Sequence, residues 1–169
     1  MAATRVLEWL FAFYFLAHIP ITLLLDLQAL LPGIYPQGLT EWLTWYIATF
    51  KDPMMADPPA WFKSFIYSEA FLQLPFFPVA AYAFWKGHCQ WIRTPAIIYA
   101  VHVTTTLLPI LAHIMFGDFA KSKHPGPDTL RERLSLVAIY IPYFLIPLLI
   151  LFSMLFSPLY NKVEKRKKK

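Results

Sequence analysis

Four stretches free of Asp, Glu, Lys and Arg dominate the hydrophobic pattern: Trp9–Leu25 (17 residues), Ala70–Trp85 (16), Thr94–Gly117 (24) and Leu134–Asn161 (28). About 20 apolar residues cross roughly 30 Å of hydrocarbon, so the pattern predicts four membrane spans, the second complete only if Glu69 lies inside the bilayer. The helices are expected at about 6–31, 60–85, 94–116 and 132–157, within one transmembrane domain over 1–169. Between the first two, apolar residues at 39, 42, 43, 46, 47 and 50 recur at helical spacing. That segment reads as a short interfacial helix lying over the mouth of the bundle.

Helix starts carry their own signals. Asp52-Pro53, Asp57-Pro58 and Thr94-Pro95 each pair a capping oxygen with a residue that needs no N–H partner, and Thr129 with Glu132 has capping-box spacing. Inside the spans, Pro20, Pro75, Pro78, Pro109, Pro142 and Pro147 each free a backbone carbonyl and bend a helix. Proline is tolerated in membrane helices, but six across four helices favour an internal cavity. The expected fold is therefore an all-α membrane protein, a four-transmembrane-helix bundle with proline-kinked helices and a buried ligand cavity.

Composition agrees with this picture. Hydrophobic residues make up 58% of the chain and charged ones 15%, with mean hydropathy +0.49, which is not soluble-domain composition. The net charge of +5 resides in the last nine residues, Asn161–Lys169, with six basic side chains and one acidic; the body is neutral, nine against nine. The basic pI therefore signals a tail and not a nucleic-acid surface. A single cysteine, Cys89, excludes an intrachain disulfide framework and a Cys-rich zinc site. A cleaved signal peptide is disfavoured by the long first apolar run and an n-region holding only Arg5 against Glu8. Arg5, Lys86, Arg93 and the tail lie on one side, against Lys51, Lys121, Lys123, Arg131 and Arg133 on the other, which puts both termini in the cytosol.

Asp26 and Glu69 are the candidate chemistry. A carboxylate at membrane depth costs about 3 kcal/mol, so each needs compensation. Helical rise places them roughly 7 and 12 Å from the same luminal helix ends, facing each other if the helices are antiparallel neighbours. In low dielectric one proton is expected to be shared, with Glu69 the neutral partner and Asp26 the anion. Such a pair can hold a ligand's ammonium, perform acid–base catalysis on a lipid, or simply tie two helices together. Helical spacing adds Gln73 next to Glu69, His18 and Thr22 near Asp26, Tyr99, His102 and Thr106 on the third helix, and Tyr140 and Tyr143 on the fourth. Tyrosines beside an anion suit a lipophilic cation, although each is equally at home in helix packing or an interfacial belt. For His18 and His102 a hydrogen bond between helices is the plainer role. Asp52 hangs over the expected cavity, and capping is its simplest use. No metal site is expected, since His102 and His113 lack the spacing of a paired helical ligand motif. Lys165 and Lys167, fifth and third from the end, form the pattern of a dilysine-type retrieval signal to the endoplasmic reticulum; a polybasic stretch drawn to anionic lipid is the compatible alternative.

His18-Ile-Pro-Ile-Thr-Leu with Asp26-Leu-Gln-Ala, Phe50-Lys-Asp-Pro, Pro58-Pro-Ala-Trp-Phe-Lys-Ser-Phe65, Gln73-Leu-Pro-Phe-Phe-Pro78, Trp91-Ile-Arg-Thr-Pro-Ala-Ile-Ile-Tyr99 and Tyr143-Phe-Leu-Ile-Pro147 resemble the EXPERA-domain family, in its receptor branch, over nearly the whole chain. The resemblance implies a homodimeric four-helix protein of the endoplasmic reticulum membrane, extending to the nuclear membrane, with a cavity for lipophilic amines and sterols such as oxysterols. It implies a salt bridge from Asp26 to the ligand amine, a hydrogen bond from Glu69 to Asp26, and an Asp52 on which binding depends through the fold. Tyr46, Gln73, Tyr99, Thr106, Tyr140 and Tyr143 would line the pocket. A role in cholesterol homeostasis, with the Niemann-Pick type C cholesterol transporter as partner and no cofactor, is implied too. The shorter N-terminus and the shortened loop Lys121–Asp128 depart from the family pattern and touch only peripheral contacts. The family also includes a sterol isomerase, emopamil-binding protein, which keeps an enzyme reading open with Glu69 and Asp26 as acid and base.

Overall fold

The computed structural model describes residues 2–120 and 123–161; the basic tail, with Lys165 and Lys167, lies outside them. The described residues form helices and turns only. Helix α1 covers Ala2–Leu24, α2 Gln37–Phe50, α3 Pro53–Ala56, α4 Ala60–Ser68, α5 Phe76–Lys86, α6 Arg93–Phe116 and α7 Leu130–Phe156. Among these residues three segments, Thr4–Ala29, Gln90–Phe116 and Leu130–Phe156, are long and apolar enough to cross a membrane. The segment expected as the second span is present in pieces, α4 and α5 joined by a π turn over Glu69–Gln73.

Packing is pairwise, α1 along α5 and α6 along α7. Phe11, Phe15, Phe77 and Phe84 are all but fully buried in the first pair. The Phe15 and Phe84 rings stack at 5.9 Å with planes 4° apart. In the second pair Ile114, Leu136, Ile150 and Met154 are wholly buried, while Phe116, Phe152 and Phe156 point outward, as does Phe13 on α1. Outward phenylalanines in this number suit a lipid surround, where apolar exposure carries no hydration cost.

Local sequence explains where the helices break. The first span was expected to run unbroken to about residue 31, but α1 ends at Leu24 and a 3-10 turn takes over at Asp26–Ala29. Gln28 makes this possible, because its Nε2 donates to the freed carbonyl of Leu24 at 2.6 Å and to Leu39 at 3.3 Å. In the second segment Pro75 has no N–H for the carbonyl four residues back, and the Leu74 N–H bonds the Glu69 carbonyl at 2.8 Å, the wide spacing of a π turn.

Two of the four expected caps form. Asp52 accepts from the N–H groups of Met54 and Met55 with Pro53 at the first helical position, and Thr129 with Glu132 makes a reciprocal capping box. Thr94 does not cap α6, because the turn Gln90–Ile92 runs straight into the helix and leaves Thr94 already inside it. Nor does Asp57 cap α4: it ends α3, and the second proline, Pro59, stands at the start of α4 in an extended conformation.

Candidate functional site

A cavity of about 210 Å³ lies on the α2–α3 side of the bundle. Its walls come from every helix except α5. α1 and its turn supply His18, Ile21, Leu25 and Asp26; α2 and α3 supply Leu43, Tyr46 and Met55; α4 and the π turn supply Phe62, Phe65, Ile66, Glu69 and Gln73. α6 adds Val103, Thr106, Leu107 and Ile110, and α7 adds Ile139, Tyr140 and Tyr143.

The polar floor is narrow. Thr22, wholly buried on α1, donates its hydroxyl to Glu69 Oε1 at 2.5 Å. The same oxygen lies 3.5 Å from His18 Nε2, and one ligating atom each from His18, Asp26 and Glu69 falls within 4.8 Å of the others. Glu69 continues the α4 ladder, its N–H bonding the carbonyls of Phe65 and Ile66, and the π turn that begins at it re-aims the chain that follows into α5. No lysine or arginine lines the cavity, so two carboxyl groups share an apolar space without a fixed cation. His18 is held by rings: Phe77 stacks on it at 4.7 Å, and Tyr143 and Tyr14 approach to 4.8 and 5.3 Å.

Of the residues the sequence singled out, His18, Asp26, Tyr46, Glu69, Gln73, Thr106, Tyr140 and Tyr143 lie on the cavity wall. Tyr99 does not. Its ring sits between Phe15 and Phe76 and its hydroxyl pairs with that of Tyr14 at 2.8 Å, behind the wall. Helical spacing gave its height along α6 correctly but not its direction, because the third helix faces two neighbours and carries apolar residues all round.

Asp52 also lies behind the wall, with no exposed surface. Its Oδ1 accepts from Met54 and Met55 N–H at 3.0 and 3.2 Å, and its Oδ2 accepts from the hydroxyls of Tyr46 and Tyr140 at 2.9 and 2.7 Å. Burial pushes this carboxyl above the usual range and the two tyrosine hydroxyls and two backbone donors pull it back. Asp52 therefore does not touch a ligand; it ties α2, α3 and α7 together and turns the rings of Tyr46 and Tyr140 into the cavity. His102 faces away and pairs with Ser68 at 2.7 Å, and His113 packs against Trp61 and Phe119.

A second polar cluster, at the far end of α1, carried little sequence signal. Glu8 is 1% exposed and accepts from Tyr160 Oη at 2.6 Å, the His88 N–H at 2.7 Å and Arg5 Nη1 at 3.1 Å. Arg5 continues to the carbonyls of Phe84 and Trp85. Gly87 takes a φ of +77°, a backbone conformation that residues with a Cβ rarely adopt, so a glycine is favoured beside this cluster.

Residues 39–154 match the family model described as EXPERA, the expanded EBP superfamily. The chain is 61% identical to Sigma intracellular receptor 2 of Xenopus tropicalis, over 98% of this chain and 97% of that one. It is 58% identical to the protein of the same name from Homo sapiens, over 99% and 98%. A more distant relative, Efficient mitochondria targeting-associated protein 19 of Saccharomyces cerevisiae, is 27% identical over 84% of this chain and 93% of its own.

Proposed function

The chain belongs to the EXPERA family, and from that premise we propose that it acts as an intracellular sigma-2 receptor, binding lipophilic amines and sterols or oxysterols in its intramembrane cavity. The observation that carries this reading is the pair Asp26 and Glu69 facing an apolar, ring-lined space with no fixed cation. An ammonium supplies that cation, Asp26 takes the salt bridge, and Glu69, held by Thr22, fixes the Asp26 carboxyl. Tyr46, Tyr140 and Tyr143 offer ring faces and hydroxyls to the rest of an amphiphile. Sterols suit the same walls, whose remaining lining is aliphatic and aromatic.

The wider reading is regulation of cholesterol homeostasis and trafficking by a homodimer in the endoplasmic reticulum membrane, also reaching the nuclear membrane. Both termini face the cytosol, Lys165 and Lys167 act as retrieval signal, and the Niemann-Pick type C cholesterol transporter is the partner. Charge asymmetry and the tail sequence support the orientation and address. The full-length likeness to proteins named as receptors favours binding over catalysis. The alternative, a sterol isomerase-like enzyme, is favoured by one observation, two carboxyl groups that converge within 4.8 Å, a span one water can bridge for proton transfer.

One experiment separates the two. Binding of a lipophilic tertiary amine and turnover of a ring-unsaturated sterol are measured on the same membranes for wild type, Asp26→Asn and Glu69→Gln. Binding lost in Asp26→Asn with no turnover in any preparation is the expected result. Turnover in wild type that both substitutions abolish overturns it in favour of the isomerase.

A further inference from the structure

His18 is 7% exposed, lines the cavity, and makes no hydrogen bond at either ring nitrogen among the described residues. Its Nδ1 is fully buried without a partner, and the nearest acid to Nε2, Glu69 Oε1, stands at 3.5 Å, beyond a normal N–H···O bond. A buried imidazole without a bond carries an uncompensated desolvation cost. In this cavity the nitrogen, Glu69 and Asp26 converge within 4.8 Å.

That separation has a chemical meaning. Zinc binds imidazole nitrogen and carboxylate oxygen at about 2.0 to 2.2 Å, so two tetrahedral ligands stand about 3.4 Å apart. The 3.5 Å between His18 Nε2 and Glu69 Oε1 matches one such edge, and the Asp26 oxygen, within 4.8 Å of both, closes the set by a side-chain shift. One nitrogen and two carboxylates are a three-ligand set of the open, catalytic-zinc kind, with the cavity side left for water. The Thr22 hydroxyl on Glu69 orients the ligating carboxyl, as outer partners do at metal sites. Charge points the same way. A tertiary ammonium has a single N–H and one positive charge, which satisfies one of the three groups. A divalent ion satisfies all three and neutralises both carboxylates, with the imidazole neutral.

We propose that His18, Asp26 and Glu69 form a divalent transition-metal site of zinc type at the floor of the cavity, where metal and amine exclude each other. The inference shares the residues of the proposed receptor site but does not depend on it, because a metal can bind whether or not an amine does.

The test uses the purified full-length protein in detergent, with zinc and cobalt(II) as probes. Equilibrium dialysis is expected to find one zinc per chain, displaced by excess lipophilic amine, and weakened at least about tenfold in His18→Gln, Asp26→Asn and Glu69→Gln, since losing an outer partner of a ligand already costs that much and each variant removes a ligand itself. Asp118→Asn, an acid in the loop after α6, serves as the control for surface binding and is expected to retain the site. Cobalt(II) on the wild type is expected to show the intense visible bands of low coordination, and this needs no variant to fold. Wild-type protein that binds amine but no zinc, or zinc affinity unchanged in all three variants, or a weak aquo-like cobalt spectrum, overturns the proposal. In the first of those outcomes amine binding stands by itself, so the two readings fail separately.

Discussion

Thr22 on α1 and Glu69 on the π turn are joined by a hydrogen bond of 2.5 Å across the cavity floor. This bond fixes one Glu69 oxygen, and with it the side of the carboxyl that faces Asp26. Thr22→Val keeps the shape and removes the donor. Stability is expected to fall by about 1 to 3 kcal/mol, the cost of leaving a buried acceptor unmatched, and amine affinity is expected to fall with it. Thermal melting in detergent and saturation binding on the same samples check both; a variant as stable and as tight as wild type would remove Thr22 from the site.

The two tyrosines above the cavity depend on Asp52. Four donors converge on that carboxyl from α2, α3 and α7, so Asp52→Ala loses a cap and strands two buried hydroxyls. A loss of about 3 kcal/mol is expected, with a further drop in the amine affinity of the folded fraction, because the Tyr46 and Tyr140 rings lose the carboxyl that orients them. The neighbouring Lys51, half-buried and paired with Glu132 at 2.6 Å, is expected to give little change in melting on replacement by Ala, because solvent reaches both partners and screens the pair. If Lys51→Ala proves as damaging as Asp52→Ala, the roof is held by charge and not by the buried carboxyl.

These contrasts show which parts of the molecule were legible in the chain. Charge-free runs are long-range signals, and three of the four coincide with helices long and apolar enough to cross a membrane, because hydrocarbon demands them whatever the packing. Asp26 and Glu69 stood out for the same reason. What the sequence lacked was direction. Tyr99 points behind the wall and not into the cavity, since a helix buried on several sides has no polar face to orient it; Asp52 caps α3 as its Asp-Pro step suggested, but its tyrosine partner 88 positions away is invisible to spacing. The π turn was likewise hidden, because a proline announces a break without saying whether the turn before it widens or ends.

Asp26 and Glu69 are expected to respond differently to neutralisation. Asp26→Asn removes the charge proposed to hold an amine and should lower affinity at least about a hundredfold, the scale of losing one partner of a buried ion pair. Glu69→Gln retains a hydrogen-bonding group toward Thr22 and Asp26 and should cost less. Competition binding with a lipophilic tertiary amine and with its uncharged carbon isostere tests the assignment, since the isostere should be indifferent to Asp26→Asn. Equal losses for both ligands would assign Asp26 to the fold.

Glu8 tests the opposite end of the molecule. Its carboxylate is buried and gathers Arg5, the His88 amide and the Tyr160 hydroxyl, so α1, the turn after α5 and the segment after α7 meet on one side chain. In the sequence Glu8 was merely a charge beside Arg5 ahead of an apolar run. Glu8→Gln keeps the size but trades an acceptor for a donor facing three donors, and a loss of about 2 to 3 kcal/mol is expected. Tyr160→Phe removes one bond of the three and should cost about 1 kcal/mol, with the double substitution falling short of the sum because the two share a contact. Amine affinity of the folded fraction should stay at the wild-type value, since none of these atoms lines the cavity. Melting curves of the four proteins decide it: strictly additive losses would mean that Glu8 and Tyr160 are not coupled in the membrane, and that the C-terminal segment is held by its apolar contacts instead.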